Sequence, residues 1–186
     1  MSSLQDLPDD LPQPVDDGAC DHLTGVTMPD VILPSTKGRD VNLAALGHGR
    51  TVLYCYPRTG VPGEALPDGW DAIPGARGCT PQACTFREHA AELARLGAQV
   101  YGLSGQSTAY QREMAERLHL PFAILSDEGF AFADALNLPT FTTGGMRLIK
   151  RLTLIVKNGV IEHVFYPVFP PTESAGEVVA WLKSRI

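Results

Sequence analysis

The run Thr51-Val-Leu-Tyr-Cys-Tyr56 places β-branched and aromatic residues at consecutive positions, without alternation between apolar and polar. A strand of this kind needs cover on both faces, so it belongs at the centre of a sheet with a layer on each side. The following segments supply those layers. Phe86, Ala90, Leu93 and Leu96 share one stripe, which predicts a helix over residues 81–96 that stops at Gly97. QVYGLS (99–104) predicts the next strand, and Ser107 or Thr108 opens a helix running to about His119. FAILS (122–126) reads as a strand and Glu128 to Leu136 as a short helix. RLTLIV and VIEHVFY flank Lys157-Asn158-Gly159, where Asn-Gly signals a hairpin turn. A last helix covers about Glu173 to Ile186, and no internal repeat is visible. The order predicts an α/β sandwich with a mixed sheet, parallel where helices connect strands and antiparallel in the hairpin.

A chain of 186 residues, 44% hydrophobic, fits one domain with a substantial core. No apolar run approaches membrane-spanning length, so no membrane partner is expected. The acidic, proline-rich start lacks the basic and apolar parts of a secretory signal, which points to the cytoplasm. A net charge of −6 without a basic cluster argues against nucleic acid as a partner. Residues 1–20 offer few apolar side chains and read as a flexible arm ahead of a domain over 21–186. One long connection, Pro57 to Gly78, is rich in Gly and Pro yet carries Leu66, Trp70 and Ile73. Those three favour an ordered flap, with simple packing on the surface as the plainer reading.

Four cysteines in a chain this long do not make a disulfide scaffold, and a close pair is more often catalytic or metal-binding. Cys79 and Cys84 are that pair. Thr80-Pro81 reads as a helix start, with a capping hydroxyl followed by proline in the first turn. Cys79 then stands beside amides that have no partner inside the helix, and beside the positive end of its dipole, where a thiolate is favoured. Gly78 allows close approach of backbone. In an ideal helix residues five apart have Cα atoms about 8–9 Å apart, whereas a disulfide needs roughly 4.4–6.8 Å. The pair can bond only if the helix start unwinds, so oxidation of Cys79 would precede attack by Cys84. A metal reading would add His89, but successive steps of five residues turn the side chains apart around the helix. Cys55 and Cys20 read as buried, inert thiols.

The segments YCYP, GCTPQACTFRE and KRLTLIVKNGVIEHVF resemble those of a peroxiredoxin, of the bacterioferritin-comigratory-protein or PrxQ type. The resemblance runs from about Met28 to the final helix. It implies a thioredoxin-like fold and thiol-dependent reduction of hydrogen peroxide and organic hydroperoxides, with no metal, haem or flavin cofactor. It also implies that Cys79 is the peroxidatic and Cys84 the resolving cysteine, that Arg151 is the active-site arginine, and that Pro57 shields the thiolate. Thioredoxin or a similar dithiol would recycle the enzyme. A monomer is the expected form, with a dimer left open. Arginine suits the assigned role, since its planar fork can hold a thiolate and polarise a peroxide. Arg77, Arg147 and Lys150 are nearby rivals for it.

The sequence departs from the family pattern in one place. The family has proline seven residues before its peroxidatic cysteine, whereas Pro57 precedes Cys79 by 22, an insertion of 15 residues within about 58–78. Ala76 stands where the family has a threonine. Thr59 is the expected replacement for that hydroxyl, although it could equally serve a turn. Two other readings remain open at this stage. One is a general thiol–disulfide oxidoreductase, disfavoured by the lack of Cys-x-x-Cys; the other is a redox-inactive binding module.

Overall fold

The computed structural model describes residues 4–186. In chain order the elements are β1 (Ile32–Leu33), β2 (Val41–Asn42), β3 (Arg50–Cys55), α1 (Cys79–Glu88), α2 (Ala90–Arg95) and β4 (Ala98–Ser104). They continue with α3 (Thr108–Arg117), β5 (Ala123–Ser126), α4 (Ala131–Ala135), β6 (Thr140–Thr143), β7 (Met146–Ile149), β8 (Leu152–Lys157), β9 (Val160–Phe165) and α5 (Ser174–Lys183). The main sheet has the order β5-β4-β3-β8-β9. β3 is central, parallel to β4 and antiparallel to β8, so the sheet is mixed as expected. Asn158 and Gly159, both at positive φ, make the tight turn between β8 and β9.

The pleat of β3 explains why its sequence has no polar face. Val52, Tyr54 and Tyr56 enter one core with Phe86, Leu93, Met114 and Val178 from the helices. Leu53 and Cys55 enter a second core on the opposite face, with Leu23, Leu43, Phe132 and Leu154. The Tyr54 ring stacks on Phe86 with centroids 4.3 Å apart and planes 6° apart, fixing α1 against the centre of the sheet. Gly102 on β4 makes room for that stack, because a β-carbon there would lie 2.8 Å from the Tyr54 ring and 2.6 Å from Ile124.

Several expected elements differ in detail. The predicted helix over 81–96 is two helices that meet at His89, and Cys79 itself begins the first of them. Residues 128–136 keep helix only over Ala131–Ala135, where the Asp127 carboxylate accepts from the backbone N–H of Phe132 and of Ala133. Short pairs β1–β2 and β6–β7 were not anticipated, although Gly144-Gly145 in the second is a legible turn.

The long connection is ordered and packed. A single 3-10 turn at Trp70–Ala72 sits in it, and Trp70 and Ala76 form a small core with Leu148, flanked by Leu66, Ile73 and Phe141. Residues 4–20 contain no helix or strand, yet they lie against the body instead of standing apart, and the first three residues of the expected arm fall outside the described ones. Cys20 is buried in the second core, Pro14 meets Gly75, and Asp17 accepts from the Tyr166 hydroxyl at 2.8 Å. Pro14, Asp17 and Cys20 are thus anchors of this segment, while Val15 stays exposed. Gly102→Ala should destabilise the fold by about 1–3 kcal/mol through overpacking, lowering the melting temperature by several degrees. An unchanged thermal transition would show that the Tyr54 stack has slack.

Candidate active site

Cys55, the last residue of β3, pairs with Leu152, the first residue of β8. Arg151 therefore stands just beside the carboxyl end of the central strand, where the flap departs and where α1 begins on the same side. Crevices at the carboxyl ends of parallel strands are the usual location of sites in such sheets. The Cys79 side chain is 4% exposed and Arg151 also 4%.

The Arg151 guanidinium has a full set of acceptors. Its Nε donates to Gly75 O at 3.3 Å, and Nη2 to Ala76 O at 3.1 Å and Arg77 O at 3.2 Å. Nη1 donates to Gln82 Oε1. Nη2 also lies 3.2 Å from Cys79 Sγ. No carboxylate pairs with Arg151 among the described residues, so this buried cation faces neutral oxygens and one sulfur. A buried cation is costly without compensation.

Gln82 is a site residue that the sequence reading passed over. It is fully buried, receives Arg151, and donates from Nε2 to Ser174 Oγ at 3.1 Å, linking the arginine to the first turn of α5. Its position three residues after Cys79, on the same helix face and otherwise among Cys79, Ala83 and Phe86, was a readable signal. The role of Ser174 depends on tertiary packing and left no such trace.

The cap expected of Thr80 is absent. Gly78 is the N-cap residue, at φ 106°, without a side-chain cap. Cys79 is thereby the first helical residue, two places further in than expected, and the Gln82 N–H bonds to Gly78 O at 3.0 Å. Only glycine suits this spot, for its conformation and because Pro171 Cγ would lie 2.7 Å from any β-carbon.

In front of the sulfur lies a cavity of about 10 Å³ whose walls include Thr59, Arg77, Thr80 and Leu4. Thr59 is 1% exposed, and its hydroxyl and N–H both donate to Gln106 Oε1, at 3.3 and 3.0 Å. It is brought to the cavity wall, with its hydroxyl proton turned to Gln106. Pro57 is buried at the start of the flap. Two rival cations are engaged elsewhere, Arg147 with Asp134 at 2.7 Å and Lys150 with Asp17 at 3.2 Å; Arg77 lines the cavity and pairs with Asp71 at 3.1 Å. His89 is held at the helix junction, its Nδ1 2.9 Å from Thr85 O.

Cys84 lies within α1 and is half-buried, and burial holds its thiol above the ordinary range, against a smaller opposing effect of Arg87. Burial, aided by Asp17, Asp16 and Asp21, pushes the Cys20 thiol up to about 12. Burial likewise raises Cys55. Both are buried, as expected.

The Redoxin family model matches residues 23–179. Peroxiredoxin Q, chloroplastic, of Oryza sativa subsp. japonica is 32% identical over 161 residues, covering 86% of this chain and 66% of the relative. The chain therefore spans just under two thirds of that relative's length. The Sedum lineare peroxiredoxin Q, also chloroplastic, is 32% identical, with 86% and 77% covered. Among solved structures, peroxidoxin BcpB from Mycobacterium tuberculosis has a TM-score of 0.70 at 26% identity, covering 88% of this chain and 98% of that one. With a thioredoxin-like fold, a buried cysteine–arginine pair and these relatives, the chain belongs to the redoxin family as a peroxiredoxin of the Q type.

Proposed function

We propose that the protein reduces hydrogen peroxide and organic hydroperoxides at Cys79 and is recycled by a dithiol such as thioredoxin. The observation that carries this reading is the Arg151 guanidinium 3.2 Å from the Cys79 sulfur, in a buried pocket with no carboxylate to claim it. A thiolate is the nucleophile that peroxide chemistry needs, and Arg151 is placed to hold it and to polarise the peroxide.

In the first step the Cys79 thiolate attacks one oxygen of ROOH. An S–O bond forms, the O–O bond breaks, and the departing RO⁻ takes a proton and leaves as ROH. The Arg151 N–H groups stabilise the charge that builds on the departing oxygen, having been oriented in advance by three backbone carbonyls and Gln82. Pro57 shields the thiolate at the flap entrance. Cys79 is then a sulfenic acid. The Cys84 thiol loses its proton and attacks the Cys79 sulfur, an S–S bond forms, and the oxygen leaves as water. Because α1 is continuous from Cys79 to Glu88, its first turns must open for this closure. An external dithiol then exchanges with the disulfide, returning both thiols and becoming a disulfide itself. Every atom and electron is accounted for without a metal, haem or flavin.

Reduced protein given one equivalent of hydrogen peroxide should lose two hydrogens, located by mass spectrometry to a Cys79–Cys84 crosslink, with Cys20 and Cys55 unmodified. Slow, indiscriminate oxidation of all four cysteines would overturn the reading. Arg151→Ala should slow Cys79 oxidation by about 10²–10³-fold, the scale of removing a pre-oriented donor from a charge-developing centre. Stopped-flow measurement of peroxide consumption checks this, and near-normal turnover would dismiss Arg151. Cys84→Ser should still consume one equivalent of peroxide and halt at a Cys79 sulfenic acid, which a dimedone adduct would report.

A further inference from the structure

The turn that carries Cys79 is held from outside by a segment that precedes the family match, which begins at residue 23. Two residues of the amino-terminal arm reach the start of α1. The Asp6 carbonyl accepts from Arg77 Nη2 at 3.3 Å. Leu7 sits on Gly78, where a β-carbon would be 3.0 Å from Leu7 Cδ2 and 3.1 Å from Pro171 Cβ. Gly78 is therefore wedged between the arm and the entry to α5. Leu4 adds a further contact, lying against Gly60 and walling the cavity in front of Cys79. The arm is itself tethered farther along, where Asp17 binds Tyr166 and Lys150 and Cys20 enters the core.

These contacts fall on the two residues immediately before Cys79, at the turn whose first helical bond is Gln82 N–H to Gly78 O. That turn must open before Cys84 can reach Cys79, because five residues of helix hold their Cα atoms about 8–9 Å apart. Anything that binds the closed turn and not the open one slows the opening.

We propose that Asp6 and Leu7 are positioning residues for the disulfide step, holding the first turn of α1 wound so that release of the arm sets how fast Cys84 closes on oxidised Cys79. This rests on the peroxidase reading above. While the turn is held, the Cys79 sulfenic acid persists, and a second ROOH can add its oxygen to give sulfinic acid, releasing ROH. The arm thus sets the balance between closure and over-oxidation, and Leu7, unlike Leu4, does not line the cavity in front of Cys79, so its truncation leaves the first attack on peroxide unchanged.

The test uses full-length protein with Leu7→Ala, and Leu7→Met as the conservative variant. After one equivalent of hydrogen peroxide, two phases are followed by stopped flow: oxidation of Cys79, then disulfide closure. Leu7→Ala should leave the first within twofold of wild type and speed the second about tenfold, the scale of losing a half-buried leucine contact. The peroxide concentration giving half sulfinic acid, read by mass spectrometry, should rise in proportion. Hydrogen exchange at the Gln82 amide should speed up in the reduced protein, a readout independent of catalysis, and Leu7→Met should restore all three. Closure within twofold of wild type in Leu7→Ala, or both phases slowing together, would overturn the proposal. If wild-type Cys79 is not oxidised at all, the peroxidase reading fails first; unchanged exchange at Gln82 would defeat the strap alone.

Discussion

A buried guanidinium that pairs with no carboxylate among the described residues organises this protein. Arg151 is drawn out of water at the head of β8 and met by the carbonyls of Gly75, Ala76 and Arg77, by Gln82, and by the Cys79 sulfur. Neutral oxygens satisfy its donors without cancelling its charge, and the Cys79 sulfur completes the set of contacts. The central sheet, the flap and α1 each supply one part of that arrangement. Moving any one of them would leave the cation, the sulfur or both without a partner.

This arrangement also explains how an insertion of 15 residues is accommodated. The flap holds Arg151 through backbone carbonyls, which are indifferent to side-chain identity. Ala76 can therefore stand where the family carries threonine and still accept from Arg151. The flap's own side chains serve a different end, with Trp70 and Ala76 packing on Leu148 to fix the loop over the site. Its entrance is pinned by Gln106, which accepts from the Thr59 N–H and donates to the Thr59 carbonyl at 3.1 Å.

Much of the frame was legible because it follows from local pattern. The unbroken apolar run at 51–56 announced a central strand, and Asn158-Gly159 announced the β8–β9 hairpin. What escaped was decided by contacts between distant segments. Thr80 looked like a cap, but the helix starts two residues earlier because Gly78 is pressed into a left-handed conformation between Leu7 and Pro171. The break at His89 has no glycine or proline to betray it. The amino-terminal segment looked too polar to order, yet Leu4, Leu7, Pro14 and Cys20 are seated on the body, while Val15 stays exposed. Cys79, Cys84 and Arg151 were singled out by motif, and the structure brings Cys79 and Arg151 together; Gln82 could have been found from its helix face, and Ser174 could not.

The coupling between Arg151 and Cys79 can be measured without any peroxide. A double-mutant cycle of unfolding free energies, using Arg151→Met, Cys79→Ala and the double variant in reducing buffer at neutral pH, isolates the pairwise energy. A favourable coupling of about 1.5–3 kcal/mol is expected for a hydrogen bond to a charged group. Additive effects of the two substitutions, with no coupling beyond error, would contradict the account of how this sulfur is held.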